Sequence, residues 1–309
     1  MLVFGGPQFI NWNYTYVCNF NCQHCYSRAP SYPEELTTAD YVRIADQIIE
    51  CQVFKVALGG GEVLLREDCF KILAKLGESG VSTVLTTNGW RVDDQVARRL
   101  ADAGLERLYV SLDSPRATDH DDFRARRGSY ERVIRALRAS VEANLVVYLS
   151  TVLSAINIDD IVEFVDIAER EGLAGINFKR FRASGNGLAN KDRYELADAE
   201  NLRIEADISR LKRRSSLDLS LNFSPDASDV DAGCSCGTNA LALRPNGDVS
   251  PCAYGTSVIG NLTRQSLTEI WRHSPELAAM RATGGCRALR DHHWPSNPYL
   301  AGSTDLEAR

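Results

Sequence analysis

The sequence has no long apolar run and no excess of positive charge. No uninterrupted apolar stretch reaches the ~18 residues that a membrane-spanning helix needs, so we expect no membrane partner. The amino-terminal residues lack the basic region and apolar core of a secretory signal, which favours a cytoplasmic protein. The formal net charge is −6 and no basic patch dominates, so no nucleic-acid partner is expected. The short basic run RARR at 124–127 suits a small anion as well as a nucleic acid.

Disulfide bonds are also not expected among the nine cysteines, because the cytoplasm keeps thiols reduced. The cysteines cluster near both ends of the chain, which indicates two metal sites. The two between these clusters occur in helix-like segments and are expected to be packing residues. The three sets are Cys18, Cys22 and Cys25; Cys51 and Cys69; and Cys234, Cys236, Cys252 and Cys286.

Strand-like and helix-like segments alternate from residue 8 to residue 182. Six predicted strands alternate with five predicted helices, which implies a parallel sheet with helical crossovers. Six units are fewer than the eight that close a full barrel, so we predict an α/β fold with a partial (β/α)6 barrel in residues 1–225. The predicted helices are TTADYVRIADQIIE and the segments near 66–78, 92–103, 129–143 and 158–172.

The remaining chain is predicted to hold a small module and a tail. A polar helix over 190–214 and the strand LDLSLNF come first, and the character of the sequence changes near residue 225. Residues 226–290 form the cysteine-rich module, where LALRPNGDVSPC predicts a hairpin around a Pro-Asn-Gly-Asp turn. SLTEIWRHS and PELAAMR predict short helices, and 291–309 lacks periodicity and is expected to be a tail.

The first cysteine set has the spacing C-x3-C-x2-C in the run CNFNCQHC. A loop this short can fold three thiolates around one iron–sulfur cube and leave the fourth iron without a protein ligand, where a substrate or cofactor binds. Zinc is the alternative, but structural zinc usually takes four protein ligands. His24 is the candidate fourth ligand, and its place between Cys22 and Cys25 would strain that geometry.

This loop and three later motifs resemble the radical S-adenosylmethionine (SAM) superfamily. The motifs GGGE, TTNG and SLDSP each follow a predicted strand, in the family's order. By this resemblance, GGGE binds the amino group of SAM's methionine part, although Val63 replaces the family's proline. The run HDDFRARRGSYERV resembles the segment that gives an arginine to the SAM carboxylate. The implied cofactor-binding residues are Gly59, Gly60, Gly61, Glu62, Asn88, Ser111, Asp113 and Arg124, with Thr151 and Asn157 as weaker candidates.

The resemblance also implies the chemistry and the cofactors. A [4Fe–4S] cluster held by Cys18, Cys22 and Cys25 binds SAM, and one electron cleaves SAM into methionine and a 5′-deoxyadenosyl radical. The radical then abstracts a hydrogen atom from a C–H bond, while the protein positions the substrate and excludes water. The electron is expected from an external donor of the flavodoxin or ferredoxin type.

The carboxyl-terminal cysteines resemble the auxiliary-cluster modules called SPASM and twitch. The spacing C-x10-G-x4-C from Cys236 to Cys252 carries this resemblance, and the shorter twitch form with one auxiliary [4Fe–4S] cluster fits better. Cys234, Cys236, Cys252 and Cys286 are its expected ligands. Cys252 is also a candidate hydrogen-atom donor, if it is not a ligand, and a structural zinc on these four cysteines is the alternative.

The substrate is less constrained than the radical chemistry. We expect a small polar natural-product precursor of the amino sugar or aminoglycoside type, which would be epimerised or dehydrogenated. The alternatives are a maturase of a ribosomally made peptide, a tetrapyrrole- or cofactor-modifying enzyme, and a non-enzymatic metal-binding module. Lys179, Arg180 and Arg182 end the sixth strand and are either substrate contacts or solvated charges.

Overall fold

The structure is a computed structural model that describes residues 5–28, 31–222, 236–254 and 257–282. The chain divides into two compact units that alternate along the sequence. Unit 1 comprises Met1–Val17, Ala29–Val84 and Ser224–Arg309, and unit 2 comprises Cys18–Arg28 and Leu85–Phe223. The division into 1–225, 226–290 and 291–309 stays a prediction.

Unit 1 contains strands in the order β10-β9-β8-β1-β2. β1 pairs in parallel with β2 and with β8, so the strand before the first cysteine loop is central in this order. The helix α1 begins with a capping box between Thr37 and Asp40. The elements are β1 (Phe9–Thr15), α1 (Thr38–Glu50), β2 (Lys55–Gly60), α2 (Asp68–Glu78), β8 (Ala240–Leu243), β9 (Asp248–Ser250), β10 (Gly260–Asn261), α10 (Leu267–His273) and α11 (Pro275–Ala282).

Unit 2 contains the parallel strands β4-β5-β6-β7 in chain order, paired in register. The boundary between the units falls inside β3 (Ser82–Thr87). The remaining elements are α3 (Asp94–Asp102), β4 (Arg107–Ser111), α4 (Ala117–Phe123), α5 (Ser129–Glu142), β5 (Val147–Leu153), α6 (Ile161–Arg170), β6 (Gly175–Arg180), α7 (Asn186–Ala189), α8 (Lys191–Tyr194), α9 (Asp198–Lys212) and β7 (Asp218–Asn222).

The alternating strands and helices predicted from the sequence are confirmed, with differences that include the unpredicted short elements α7 and β10. The prediction missed α4, a seven-residue helix whose sequence ATDHDDF has no apolar period. The single polar helix predicted over 190–214 is wrong, because the structure has α8 and α9 there with an extended residue, Glu195, between them. Tyr194 is fully buried in a cluster with Phe123 and Phe181, and this packing fixes the end of α8.

The hairpin of β8 and β9 is confirmed and has a turn stabilised by polar side chains. Gly247 has φ +85°, which favours glycine, and its N–H donates to the Arg244 carbonyl at 2.9 Å. The Asn261 amide of β10 donates to the Asn246 carbonyl and to the Asp248 carboxylate. Across the described residues, no helix has both the length and the apolar character that a membrane span requires.

Candidate active site

The first cysteine loop lies at the carboxyl end of β1. Cys22 is buried, whereas Cys18 and Cys25 are partly exposed. The Phe20 N–H points to the Cys18 Sγ at 3.4 Å, and the Cys25 N–H donates to the Cys22 carbonyl at 3.3 Å. The loop therefore turns back on itself and brings the three thiols into one short segment.

Arg124 and Asp113 lie directly behind Cys22. Arg124 follows α4, and its Nη1 lies 3.8 Å from the Cys22 Sγ. Its Nε lies 2.5 Å from Oδ2 of Asp113, and both side chains are buried. The structure thus places two of the predicted SAM-binding residues against each other and against a predicted cluster ligand. Their roles toward SAM stay predictions.

Asp113 is held in place by neighbours in unit 2. Its Oδ1 accepts from the Val152 N–H at 2.8 Å, and its carbonyl accepts from the Asn157 amide at 2.8 Å. Its N–H donates to Nδ1 of His120 at 3.1 Å. The Asp113 pKa is lowered because the Arg124 cation offsets the cost of burial. Asp113 is therefore a fixed anion.

Burial dominates the titration of the loop. It raises the pKa of the Cys22 thiol to about 12, and the Arg124 cation offsets this only in part. A thiol in this site loses its proton when iron takes the proton's place. Burial also lowers the pKa of His24 to about 3, so its ring is neutral. That ring stacks on Phe123 with a centroid distance of 4.2 Å, which is a packing role.

The glycines of GGGE lie at the carboxyl end of β2, in unit 1. A Cβ on Gly60 would lie 2.6 Å from the Thr15 carbonyl oxygen, and one on Gly61 would lie 2.2 Å from the Val17 carbonyl oxygen. Gly59 has open space around it. Gly60 and Gly61 therefore permit close approach to the segment before Cys18, while Gly59 leaves the surrounding space clear for a ligand.

Glu62 is almost fully buried and accepts a hydrogen bond from the Leu64 N–H at 3.2 Å. This contact caps a short 3₁₀ helix at Val63–Leu65, so Val63 is accommodated where the family has proline. The role of Glu62 toward SAM stays a prediction.

The sequence analysis missed a charged network in unit 1 that fixes the end of β1. Glu35 accepts from the Thr15 hydroxyl at 2.8 Å and from the Tyr16 N–H at 2.6 Å. Arg66 donates to Glu35 at 3.0 Å and binds Asp68 with two nitrogens, at 3.1 and 2.6 Å. These contacts fix Thr15 and Tyr16, which lie just before the cysteine loop in the chain. The signal that could have shown them is the charge pattern Arg-Glu-Asp after GGGEVLL.

Asn88 and Ser111 are also buried in unit 2. The Asn88 amide donates to Oδ1 of Asn19 at 2.8 Å, so it contacts the cysteine loop itself. Thr151 donates its hydroxyl to the Leu112 carbonyl at 2.8 Å, which supports the turn before Asp113.

Lys179 is the penultimate residue of β6 and lies on the sheet face opposite α6 and α9. Phe178 packs against Phe164 of α6, and Arg180 is paired with Glu205 of α9, so Lys179 occupies the opposite face. Lys179 is partly buried, and within the described ranges it forms no hydrogen bond or ion pair. Desolvation and the nearby Arg124 cation lower its pKa to about 8. The Asp113 anion acts on it in the opposite direction, but Lys179 forms no ion pair with any described residue.

Cys236 and Cys252 lie at one end of the β8–β9 hairpin. Cys236 precedes β8 and forms an isolated bridge with Ala240, while Cys252 follows β9 by two residues. Since β8 starts opposite Phe9, this is the amino end of β1. Cys252 is buried, and its Sγ lies 3.5 Å from the Tyr254 N–H. Cys234 and Cys286 lie outside the described residues.

Of the other two cysteines, Cys69 is the buried packing residue that was predicted, and Cys51 is not fully buried. Cys69 is fully buried in α2. Cys51 ends α1, is partly exposed, and its Sγ lies 3.0 Å from the Thr268 hydroxyl.

The donor set of the first loop fits an iron–sulfur cube. Within the described ranges, no three His, Cys, Asp or Glu side chains lie close enough together to hold a single metal ion. A cube does not require such convergence, because each cysteine ligates a different iron. Three thiols in one loop, with Cys22 buried against Arg124, satisfy that requirement.

Comparison with known proteins decides the family. Residues 12–168, about half of the chain, match the family model described as the radical SAM superfamily. The chain belongs to the radical SAM superfamily. Residues 234–296 match a second model, SPASM, described as an iron–sulfur cluster-binding domain. This radical SAM enzyme therefore uses SAM and a [4Fe–4S] cluster, together with an auxiliary iron–sulfur cluster.

The relatives of this radical SAM enzyme include a protein named as a maturase and one named as a heme synthase. The mycofactocin maturase MftC of Mycobacterium tuberculosis is 30% identical over 294 residues, which cover 91% of this chain and 75% of the relative. The AdoMet-dependent heme synthase of Methanosarcina barkeri is 27% identical over 296 residues, which cover 89% and 85%.

Solved structures confirm the partial-barrel α/β fold. Streptococcus suis SuiB bound to its precursor peptide SuiA superimposes with a TM-score of 0.77, covering 91% of this chain and 68% of that chain. Its identity is 17%, so this likeness shows the fold alone. The predicted fold class, a partial (β/α)6 barrel with a small carboxyl-terminal cysteine-rich module, is confirmed. The module was predicted as the twitch type, and the model that it matches is SPASM.

Proposed function

We propose that this radical SAM enzyme is a maturase that abstracts a hydrogen atom from a residue of a ribosomally made peptide. The observation that carries the proposal is the 30% identity to the mycofactocin maturase over 91% of this chain. That alignment extends over most of the chain, so the likeness is not confined to the common radical SAM region.

This substrate class replaces the one first expected. The sequence analysis favoured a small amino sugar-like precursor and kept peptide and tetrapyrrole substrates as alternatives. The relatives reported above support the alternatives better, since one is named a maturase and the other a heme synthase.

Lys179 is the residue that we assign to substrate binding. It lies on the face opposite α6 and α9, at the carboxyl end of β6, where parallel α/β folds bind their ligands. Its ammonium has no ion-pair partner among the residues described, so a substrate carboxylate can supply the missing anion. In a peptide this carboxylate is an acidic side chain or the carboxyl terminus.

The bound cofactors supply a 5′-deoxyadenosyl radical, and the protein controls where that radical acts. Asp113 and Arg124 fix the back of the cysteine loop, and Glu35 and Arg66 fix the end of β1 before it. Lys179 orients the substrate through its carboxylate. These contacts hold the reacting parts in a constant geometry, which is the protein's main contribution to such a reaction.

An oxidative outcome is favoured over epimerisation. Cys252 lies beside Cys236 at the amino end of β1, whereas substrates of parallel α/β folds bind at the carboxyl ends of the strands. That position suits a ligand of the auxiliary cluster better than a hydrogen-atom donor. The proposed product has therefore lost two hydrogens, as in a crosslink or a desaturation. One hydrogen atom would pass to 5′-deoxyadenosine, and the substrate radical would then release a proton to solvent and one electron to the auxiliary cluster.

The test is an anaerobic incubation with SAM, dithionite and a library of short synthetic peptides. We expect one peptide to raise the rate of 5′-deoxyadenosine release and to lose two hydrogens by mass. A peptide deuterated at the reacting residue transfers its label to 5′-deoxyadenosine. If no peptide changes in mass or raises that rate, the proposal fails.

A tetrapyrrole is the second candidate, supported by the 27% identity to the heme synthase over 89% of the chain. Its propionates would pair with Lys179 in the same way as a peptide carboxylate. An iron-coproporphyrin arm in the same assay separates the two, because only the true substrate raises 5′-deoxyadenosine release.

We assign the enzyme to the cytoplasm, where its thiols stay reduced.

A further inference from the structure

A group of exposed arginines surrounds one tryptophan beside the first cysteine loop. The guanidinium carbons of Arg126 and Arg132 lie 4.4 and 5.2 Å from the centre of the Trp90 ring. Arg91 and Arg127 are also exposed and follow Trp90 and Arg126 directly in the chain. We call these five residues the basic patch.

The arginines of the basic patch have no acidic partners within the described part of the chain. Asp121 precedes Arg126 by five residues, and its carboxylate binds backbone and hydroxyl groups instead. It accepts from the Ser129 hydroxyl at 2.8 Å and from the Tyr130 N–H at 2.9 Å. None of these four arginines forms an ion pair with a described residue, although Glu131 directly precedes Arg132 in the chain, so the patch presents four cationic side chains in a protein of net charge −6.

The basic patch contacts the cysteine loop directly. Phe20, which lies between Cys18 and Cys22, packs edge-to-face on Trp90 with a centroid distance of 5.7 Å. The Trp90 N–H donates to Oδ1 of Asn88, whose amide in turn donates to Asn19 of the loop. The patch is therefore separated from the cluster ligands by one layer of side chains.

Radical SAM chemistry needs a surface of this kind. Cleavage of SAM starts from the reduced cluster, and before any substrate has reacted this electron must come from a carrier that approaches the cluster closely. Electron carriers bind their partners weakly and through small interfaces, and complementary charge speeds the association. Arginine and tryptophan are also the residues most enriched at the energetic centres of protein interfaces.

We propose that the basic patch docks an acidic one-electron carrier protein that reduces the cluster at Cys18, Cys22 and Cys25. In the transfer, the carrier loses one electron and the charge of the cluster core falls from +2 to +1. The cation–π contacts keep Arg126 and Arg132 over Trp90, so the docking surface is arranged before the partner arrives. The arginines supply attraction, and Phe20 and Trp90 supply a short packed route to the loop.

The test compares two reductants in the release of 5′-deoxyadenosine from SAM, which does not require the true substrate. Reduced flavodoxin is the protein donor, and dithionite is the small donor that needs no docking surface. The variant is Arg126→Glu with Arg132→Glu. The matched control is Arg213→Glu with Arg214→Glu, an equal charge change at exposed positions after α9 in the same unit.

The patch variant is expected to keep the dithionite rate within about twofold and to raise the flavodoxin concentration for half-maximal rate at least roughly tenfold. The control keeps both values, and added salt weakens the flavodoxin reaction of the wild type more than that of the variant. Equal flavodoxin dependence in the wild type and the patch variant overturns the proposal.

A second variant covers the case in which charge reversal damages the fold. Arg126→Gln with Arg132→Gln removes the charges without adding repulsion and is read in the same way. A change in peptide KM with unchanged flavodoxin dependence would assign the patch to the substrate and would also overturn the proposal. Failure of the peptide maturase assignment leaves this test intact, because 5′-deoxyadenosine release is measured without peptide.

Discussion

The Arg124 guanidinium and the Asp113 carboxylate form a buried ion pair directly behind Cys22, with Nε 2.5 Å from Oδ2. The pair joins the turn after β4 to the turn after α4, and Arg124 also reaches the Cys22 Sγ. Arg124 therefore packs against the cysteine loop and supports it. The sequence motif assigns the same residue to the SAM carboxylate.

Removing the Arg124 guanidinium is expected to lower the free energy of unfolding of the protein. Arg124→Met leaves Asp113 buried without its main partner, which typically costs about 3–5 kcal/mol. The free energy of unfolding of the cluster-free protein in urea measures the loss. Arg116→Met is the control, since Arg116 pairs with Asp160 but is about half exposed, and it should cost about 1 kcal/mol or less. Equal losses in the two variants would contradict the structural role of Arg124.

Gly61 and Gly59 are expected to tolerate alanine very differently. Gly61→Ala places a Cβ 2.2 Å from the Val17 carbonyl oxygen, so the backbone before Cys18 must shift. We expect a lower melting temperature and less iron bound after reconstitution. Gly59→Ala meets no atom within 4 Å and should bind iron as the wild type does. Wild-type iron content and equal melting temperatures in both variants would contradict the need for glycine at position 61.

The affinity for an acidic peptide is expected to fall as the pH rises through about 8, because Lys179 then loses its proton. The charged groups that set this pKa are Arg124, which lowers it, and Asp113, which raises it. A substrate carboxylate bound to Lys179 raises the pKa of the lysine, so Lys179 keeps its proton in the enzyme–substrate complex. The pH dependence is therefore seen in KM rather than in kcat. The measurement is KM for the peptide between pH 7 and pH 9.5.

Two variants of Lys179 check the cause of that pH dependence. Lys179→Met should raise KM about 10-fold to 100-fold at pH 7, the loss of one charged hydrogen bond, and should abolish the pH dependence. Lys179→Arg keeps its charge across this range and should move the fall in affinity to higher pH. A KM of the Met variant that matches the wild type would remove Lys179 from the substrate site.

The fold was predictable because its signals are local. Thr37 and Asp40 mark the start of α1, and glycines and polar motifs mark the carboxyl ends of the strands. The helix α4 was missed because it is short and polar and has no side-chain cap at Arg116. The break before α9 was missed because it depends on Tyr194 packing against Phe123 and Phe181, which are distant in sequence.

The site was predictable as a set of residue types and not as a set of contacts. The motifs named Asp113 and Arg124 separately, but no local pattern indicates that they pair with each other. Glu35 and Arg66 belong to no motif that the sequence analysis used, and their joint hold on Thr15 and Tyr16 depends on the tertiary fold. Long-range pairing of polar groups is therefore what the structure adds.

The most direct test of the whole account is the iron and sulfide content after anaerobic reconstitution. The comparison is between the wild type and the variant with Cys18, Cys22 and Cys25 all replaced by Ala. Two [4Fe–4S] clusters predict about eight irons per chain, falling to about four in the variant, which should release no 5′-deoxyadenosine from SAM. About four irons in the wild type and none in the variant would contradict the auxiliary cluster, and continued SAM cleavage by the variant would contradict the radical SAM site.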